Sequence, residues 1–111
     1  MIPLVSVIIP AYNEQEYLSR CIRSLLNQSI NTQQFEIIVV DDASDDQTNL
    51  VINSFGKLIK KLKNSKNMGL PYSLNKAIKK SIGKYIVRVD ADDYVNEHFI
   101  SMLLYSISEK F

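Results

Sequence analysis

Short apolar runs alternate with amphipathic stretches along most of the chain. Three runs are nearly continuously apolar and rich in β-branched residues, which is typical of strands buried on both faces of a parallel sheet; they are residues 4–9, 36–40 and 84–89. Between and after these runs, apolar residues recur at helical spacing and predict amphipathic helices. We therefore expect an α/β fold with an open, mostly parallel sheet and helices on both faces.

Local signals predict where these elements begin and end. Pro10 is expected to end the first strand, because it has no N–H for the ladder. Asn13 is expected to cap the first helix, Ser44 or Asp45 the second, and Gly83 fits the position just after the third. The predicted apolar stripes are Leu18, Cys21, Ile22, Leu25 and Leu26; Val51, Phe55, Leu58 and Ile59; Leu74, Ala77, Ile78 and Ile82; and Phe99, Ile100, Leu103, Leu104 and Ile107.

The pattern leaves residues 60–64 open between two assignments. They either finish the second helix or form a short, exposed edge strand, where lysines resist unwanted pairing. Farther along, Gly69 is expected to take a positive φ in a turn, and Pro71 to lie in the first turn of the third helix.

Composition narrows the class of protein. The 111 residues are 46% hydrophobic with a net charge of +1, so we expect one compact domain without a global field for nucleic acid. The five lysines from Lys57 to Lys66 are interpreted as a solvated face, because no aromatic residues interleave with them. The single cysteine, Cys21, is expected to be a small core residue. No membrane span or signal peptide is recognisable, and together these features predict a cytoplasmic location.

Acidic or amide side chains follow each of the three confident strands. They are Asn13 and Glu14, Asp41 and Asp42, and Asp90, Asp92 and Asp93. Taken alone, the last group is either a metal–diphosphate site or a solvated acidic turn, and the motif does not decide between them. Parallel strands bring their carboxyl ends to the same edge of the sheet, so the three groups are expected to converge there. That convergence favours a binding site.

Missing motifs exclude other kinds of site. The sequence contains neither a Gly-x-Gly-x-x-Gly after the first strand nor a Gly-x-x-x-x-Gly-Lys-Ser/Thr segment. The only histidine, His98, lacks neighbouring metal ligands, and no nucleophile elbow is present. A carboxylate-rich edge repels a bare phosphate but accepts one that a divalent cation bridges, so a nucleoside diphosphate bound with a metal fits it.

Four segments in this order resemble the nucleotide-sugar-binding half of a family 2 glycosyltransferase with the GT-A fold: residues 5–14, 38–44, 67–69 and 90–93. The resemblance implies that Asp42 accepts a hydrogen bond from the base, usually uracil. It also implies that Asp90 and Asp92 hold Mn²⁺ or Mg²⁺ on the sugar diphosphate, with Asp93 sharing that role. The implied nucleotide-sugar-binding residues are Pro10, Ala11, Tyr12, Glu14, Asp41, Asp42, Asn67, Gly69, Asp90, Ala91 and Asp92.

The resemblance also implies what the chain lacks. Such enzymes continue past the acidic motif into the acceptor site and the general base, and nothing after Asp93 supplies these groups. We therefore expect residues 1–111 to be a single, truncated domain. It would be the donor-binding half of an inverting, metal-dependent glycosyltransferase that uses a nucleotide-diphosphate sugar, usually UDP-linked, and a glycan or lipid-linked acceptor.

Two other functions stay open from the sequence. One is a non-catalytic nucleotide-sugar-binding or protein-interaction module whose C-terminal helix associates with a partner chain. The other is a nucleotidyltransferase. This function ranks lower, because the first loop lacks the Gly-rich and basic residues that hold a triphosphate. A lipid-linked acceptor or an anchor elsewhere would place the protein at the inner face of the membrane.

Overall fold

A computed structural model describes residues 2–109 of the chain. Four strands form one all-parallel sheet in the order β3-β2-β1-β4: β1 Val5–Ala11, β2 Phe35–Asp41, β3 Lys60–Lys63 and β4 Tyr85–Arg88. The α-helices are α1 Leu18–Leu26, α2 Thr48–Ser54, α3 Leu70–Lys80 and α4 Phe99–Glu109, with one-turn 3₁₀ helices at Thr32–Gln34 and Gly56–Leu58. The predicted α/β fold class is confirmed.

The two central strands, β1 and β2, are buried on both faces. Successive side chains of a strand point to opposite faces, so each strand feeds two apolar layers. On one face Val7, Ile9, Ile37 and Val39 form a cluster with Leu18, Cys21, Ile22 and Leu25 of α1, Ile52 of α2 and Ile100 of α4. On the other face Ile8, Ile38 and Val40 pack against Leu74 and Ala77 of α3. The predicted stripe of α1 and the covering of both faces are therefore confirmed.

Pro10 does not end the first strand, contrary to the prediction. It lies inside β1, in register with Val40. Ile8 accepts a hydrogen bond from the Val89 N–H, so the backbone groups of Ile8, and of Pro10 two residues later, face β4. Pairing with β4 stops at the Ile8–Arg88 pair. The missing N–H of Pro10 therefore costs the ladder no bond, which is why a proline is tolerated there.

The predicted helix caps are also wrong. Within the part of the chain that the structure describes, no side-chain cap bond is formed at the start of α1 or α2, and Asn13, Ser44 and Asp45 lie outside both helices. The Thr48 N–H at the start of α2 instead donates to Asp46 Oδ1 at 2.9 Å. Asn13 and Ser44 bond to the facing loop, as described below for the site.

The end of α3 departs from the prediction as well. The helix stops at Lys80 with Ser81 as its C-cap, so Gly83 lies beyond the C′ position. Gly83 is needed for close packing instead, since a Cβ there would lie 2.6 Å from the Ser6 backbone nitrogen. Ile78 and Ile82 are 45% and 57% exposed, because α3 turns Ser73 and Ala77 toward the sheet.

Residues 60–63 form the edge strand that was one of the two predicted alternatives. Two lysines of this strand and one of α3 bond to neighbouring elements. Lys60 Nζ donates to the Lys80 carbonyl at 3.2 Å, and Lys76 Nζ donates to the Lys63 carbonyl at 2.9 Å. Lys61 Nζ donates to the side chains of Asn49 and Asn53 on α2. Part of the lysine cluster thus has a structural role.

The turn into α3 has the geometry that its sequence predicts. Gly69 has a φ of +89°, and Pro71 lies in the first turn of the helix. Across residues 2–109, each helix is too short or too polar to cross a membrane.

Candidate functional site

A cavity of about 400 Å³ opens at the carboxyl ends of β1 and β4, the size of a small-ligand site. These two strands flank the point where the strand order reverses, which is where open parallel sheets bind ligands. Every predicted nucleotide-sugar-binding residue except Asp41 lines it, and three residues that were not predicted join them. The lining residues are Pro10, Ala11, Tyr12, Glu14, Asp42, Asn67, Gly69, Leu70, Ser73, Arg88, Asp90, Ala91 and Asp92.

The loops after β1 and β2 are tied together by reciprocal hydrogen bonds. The Asn13 N–H donates to Ser44 Oγ at 2.9 Å, and the Asp45 N–H donates back to Asn13 Oδ1 at 3.0 Å. The Glu14 N–H adds a bond of 2.8 Å to Thr48 Oγ1. Asn13 takes a left-handed φ of +53°, which asparagine tolerates better than most residues. This bridge fixes the loop that presents Tyr12 and Glu14 to the cavity.

Asp42 joins the loop after β2 to the turn before α3. The residue is 6% exposed, and its carboxylate accepts three hydrogen bonds: from the Met68 N–H at 2.7 Å, from Asn64 Nδ2 at 2.8 Å and from the Gly69 N–H at 3.0 Å. Burial raises its pKa, but these three donors outweigh burial, so the net pKa lies below the ordinary 3.8. Asp42 is therefore a fixed carboxylate anion at the cavity wall.

The bonds to Asp42 leave it little remaining capacity. A carboxylate offers about four acceptor positions. Among residues 2–109, Oδ1 accepts from Met68 and Asn64, whereas Oδ2 accepts only from Gly69. One position on Oδ2 therefore remains for a donor on a ligand.

Asp41 does not line the cavity, although the sequence placed it beside Asp42 at the site. It is completely buried, and its Oδ1 accepts a hydrogen bond of 3.0 Å from the Ser44 N–H. Its Oδ2 has no partner among residues 2–109. Because consecutive strand residues point to opposite faces, Asp41 points to the α1 side while Asp42 serves the cavity. Its contribution is to the shape of the loop.

Three exposed carboxylates gather after β4. One oxygen from each of Asp90, Asp92 and Asp93 lies within 4.8 Å of the others. Arg88 places Nε and Nη2 each 2.9 Å from Asp90 Oδ1, so one of the three carboxylates already has a cationic partner. Asp92 and Asp93 have no side-chain salt bridge within residues 2–109.

The site as a whole is electronegative. Glu14, on the facing loop, has a raised pKa, first because it is partly buried and then because Asp92, Asp46 and Asp90 repel its charge. A concentration of negative charge this high favours a cation. Exposed carboxylate oxygens are the hard ligands that Mn²⁺ and Mg²⁺ prefer, so the donor set fits a divalent ion held by Asp92 with Asp90 or Asp93.

Sequence reasoning missed Arg88 as a cavity residue. A signal was present, because Arg88 interrupts an apolar strand and stands two residues before Asp90. Residues two apart on an extended chain point the same way, so a contact between them was predictable. Leu70 and Ser73 carried no such signal, since the orientation of α3 decides their position.

Comparison with known proteins agrees with this geometry. The sequence model described as Glycosyl transferase family 2 matches residues 6–111. A poly(ribitol-phosphate) beta-glucosyltransferase of Bacillus spizizenii is 39% identical over 97 residues, which are 82% of this chain and 15% of the relative. An uncharacterized glycosyltransferase of Haemophilus influenzae is 39% identical over 105 residues, 92% of this chain and 32% of the relative. The chain thus spans less than a third of the length of these two relatives.

A solved structure shares the fold at a similar level of identity. The crystal structure of S. aureus TarS 1-349 in complex with UDP-GlcNAc has a TM-score of 0.88 and 33% sequence identity. The match covers 95% of this chain and 31% of that one. The chain therefore belongs to glycosyl transferase family 2 and has its GT-A fold, as the match to the family model, the order of strands and the cavity where that order reverses all indicate.

Proposed function

We propose that this chain is the donor-binding portion of a metal-dependent, inverting glycosyltransferase that takes its sugar from a nucleotide-diphosphate sugar, most simply a UDP-sugar. The observation that carries the proposal is the pairing of two distinct features in one cavity. At one side Asp42 is a fixed acceptor with one free position, and at the other Asp90 and Asp92 form an acidic group suited to a metal.

The Asp42 side suits the nucleoside. Uracil carries one N–H on its pairing edge, and a carboxylate oxygen with one open position is a matching acceptor. Tyr12 is 46% exposed at the same cavity and offers an aromatic face for a base. The S. aureus TarS structure that shares the fold contains UDP-GlcNAc, which supports a uridine donor for this chain.

The Asp92 side suits the diphosphate. Mn²⁺ or Mg²⁺ bound there would act as a Lewis acid that neutralises charge on the departing diphosphate. Arg88 adds a fixed cation to the cavity wall and holds Asp90 in place at 2.9 Å. Without a cation, Glu14, Asp90 and Asp92 would repel a diphosphate. The carboxylates therefore make nucleotide binding dependent on metal.

Further parts of the proposal concern the whole protein. The acceptor, a glycan or a lipid-linked glycan, and the general base would be bound and supplied by segments other than residues 2–109. The matches cover 15% and 32% of the two relatives, which leaves room for such segments. We place the protein in the cytoplasm. If the acceptor is lipid-linked, the protein would act at the inner face of the membrane.

Association through the C-terminal helix also stays a proposal. Met102 and Tyr105 of α4 are 62% and 65% exposed, while Ile100 on the opposite side is buried. Sedimentation velocity over a range of concentrations tests it. A sedimentation coefficient that rises with concentration, and no longer rises in Tyr105→Ser, is the expected result. A monomer at all concentrations would contradict it.

A nucleotide panel tests the donor class. UDP, GDP, CDP and ADP are each equilibrated with the chain in Mn²⁺ and the bound fraction is measured by equilibrium dialysis. We expect wild type to bind UDP most tightly of the four nucleotides. Asp42→Asn should weaken UDP binding by about tenfold and reduce the difference in affinity between UDP and the other nucleotides. Equal binding of all four nucleotides, or none, would contradict a uridine-diphosphate donor.

A further inference from the structure

One face of α1 holds the whole segment that carries the acidic residues. Four of its side chains, spaced along the helix and just past its end, bond to backbone groups between residues 90 and 100. Cys21 Sγ donates to the Asp90 carbonyl at 3.5 Å, and Arg20 Nη2 donates to the Asp92 carbonyl at 3.2 Å. The Val95 N–H donates to Ser24 Oγ at 3.1 Å, and the Ile100 N–H donates to Gln28 Oε1 at 3.0 Å.

Arg20 is the member of this set that bonds to Asp92, the first of the candidate metal ligands. Its guanidinium lies 4.5 Å from the centre of the Tyr94 ring and 5.4 Å from that of Tyr17, both within the range of cation–π attraction. A long arginine side chain ordinarily samples many rotamers at a surface. Here two rings and one carbonyl acceptor favour one arrangement of the guanidinium.

We propose that Arg20 is a positioning residue of the donor site: in contact with the rings of Tyr17 and Tyr94, it fixes the backbone of Asp92 and so the direction of the Asp92 carboxylate. Arg20 does not line the cavity, and it acts only through Asp92. The inference rests on the proposed function, because it gives Arg20 a part in binding a metal and a diphosphate.

The physical reason lies in the exposure of the acidic turn. Asp90, Asp92 and Asp93 are all exposed, so core packing does not hold their side chains. The Asp93 N–H bonds to the Asp90 carbonyl at 3.0 Å, which closes the turn but leaves the Asp92 carbonyl without that support. Arg20 supplies it. Groups that orient metal ligands in this way change metal affinity by about 10- to 100-fold when removed.

The test measures Mn²⁺ directly. Free Mn²⁺ gives a sharp solution EPR signal that is lost on binding. UDP alone also binds Mn²⁺, so the loss of signal beyond that of a protein-free Mn²⁺–UDP titration gives the metal affinity of the protein. Wild type is compared with Arg20→Ala, Arg20→Lys and Tyr94→Ala. Arg23→Ala is the matched control, because Arg23 is an exposed arginine on the same helix that has no side-chain hydrogen bond or salt bridge among residues 2–109. UDP binding in EDTA is measured for every variant.

We expect Arg20→Ala to weaken Mn²⁺ binding about tenfold, with UDP binding in EDTA and the melting temperature close to wild type. Arg20→Lys should recover part of the loss, because lysine keeps the charge and one donor but not the planar fork. Tyr94→Ala, which changes a 64% exposed side chain and leaves the core intact, should give a smaller loss in the same direction. Arg23→Ala should match wild type.

Two results would overturn the inference while leaving the donor site in place. The first is wild-type Mn²⁺ affinity in both Arg20→Ala and Tyr94→Ala. The second is an equal loss with metal and in EDTA, which would mean a general structural defect. In a third result, wild-type protein binds UDP but binds no Mn²⁺ with it. That result would overturn both the proposed function and this inference.

Discussion

Replacing Asp42 by asparagine removes one hydrogen bond and weakens two others at a buried position. The best placement of the amide keeps its oxygen toward Met68 and Asn64 and turns its NH₂ group toward the Gly69 N–H. That bond of 3.0 Å then becomes a contact between two donors. A hydrogen bond to a charged group contributes about 2 kcal/mol, and a neutral one about 1 kcal/mol.

These values give the size of the effect. The lost bond accounts for about 2 kcal/mol and the two weakened bonds for about 1 kcal/mol each, while the smaller desolvation of an amide returns about 1 kcal/mol. We therefore expect Asp42→Asn to lower the free energy of unfolding by about 3 kcal/mol near neutral pH. Urea denaturation followed by circular dichroism measures the difference.

The pH dependence gives a second check on Asp42. Its folded-state pKa lies below the ordinary 3.8, so its stabilising contribution is complete above that value and is lost as the pH falls through the folded-state pKa. The difference between wild type and Asp42→Asn should therefore shrink in strong acid. Asp45→Asn, an exposed carboxylate on the same loop, is the control and should stay within about 0.5 kcal/mol of wild type. A loss below about 1 kcal/mol for Asp42→Asn would refute the three-bond account.

Three other substitutions test features outside the cavity. Ala43 has a left-handed φ of +59°, so Ala43→Gly should relieve strain and, after the entropy cost of glycine, raise the free energy of unfolding by about 0.5 kcal/mol in urea denaturation; a loss of stability would contradict this. Gly83→Ala puts a Cβ 2.6 Å from the Ser6 backbone nitrogen and should lower the free energy of unfolding, measured by thermal denaturation, by about 2 kcal/mol. An unchanged free energy of unfolding would show that the backbone relaxes without cost. Burial raises the pKa of Glu36, but hydrogen bonds from Ser6, Ile82 and Lys60 outweigh burial, so the net pKa lies below the ordinary 4.5. The Glu36 carboxylate therefore stabilises the fold above pH 4.5, and this contribution is lost as the pH falls through the folded-state pKa. Glu36→Gln should therefore flatten the acid limb of a plot of stability against pH, and an unchanged acid limb would exclude that coupling.

The sheet and its helices were predictable because buried faces require apolar residues at the regular spacing of a strand or a helix. The apolar runs of β1 and β2 and the stripe of α1 are buried on the faces that the pattern indicates. Element ends were less predictable, because they depend on what lies opposite. Pro10 stays in β1 only because β4 has ended beside it, and Gly83 is required by the backbone of Ser6.

The cavity followed from a topological rule more than from any single motif. Parallel strands place their carboxyl ends together, so the loops after β1, β2 and β4 converge. The roles of individual residues within those loops could not be read from the chain. Asp41 and Asp42 are adjacent, chemically identical and both buried, and only the alternation of side chains at the end of β2 directs Asp42 rather than Asp41 to the cavity. Arg20 contacts a carbonyl 72 positions away, and no local pattern reports such a pairing.

The central claim is that the acidic turn makes nucleotide binding dependent on a metal. Isothermal titration of UDP into the chain, in Mn²⁺ and in EDTA, tests it most directly when repeated on Asp92→Asn, with Asp45→Asn as the control carboxylate. We expect Mn²⁺ to tighten UDP binding by about tenfold or more in wild type and in Asp45→Asn, and Asp92→Asn to bind in Mn²⁺ only as wild type does in EDTA. Equal affinity with and without Mn²⁺ in wild type, or full Mn²⁺ dependence in Asp92→Asn, would contradict the claim.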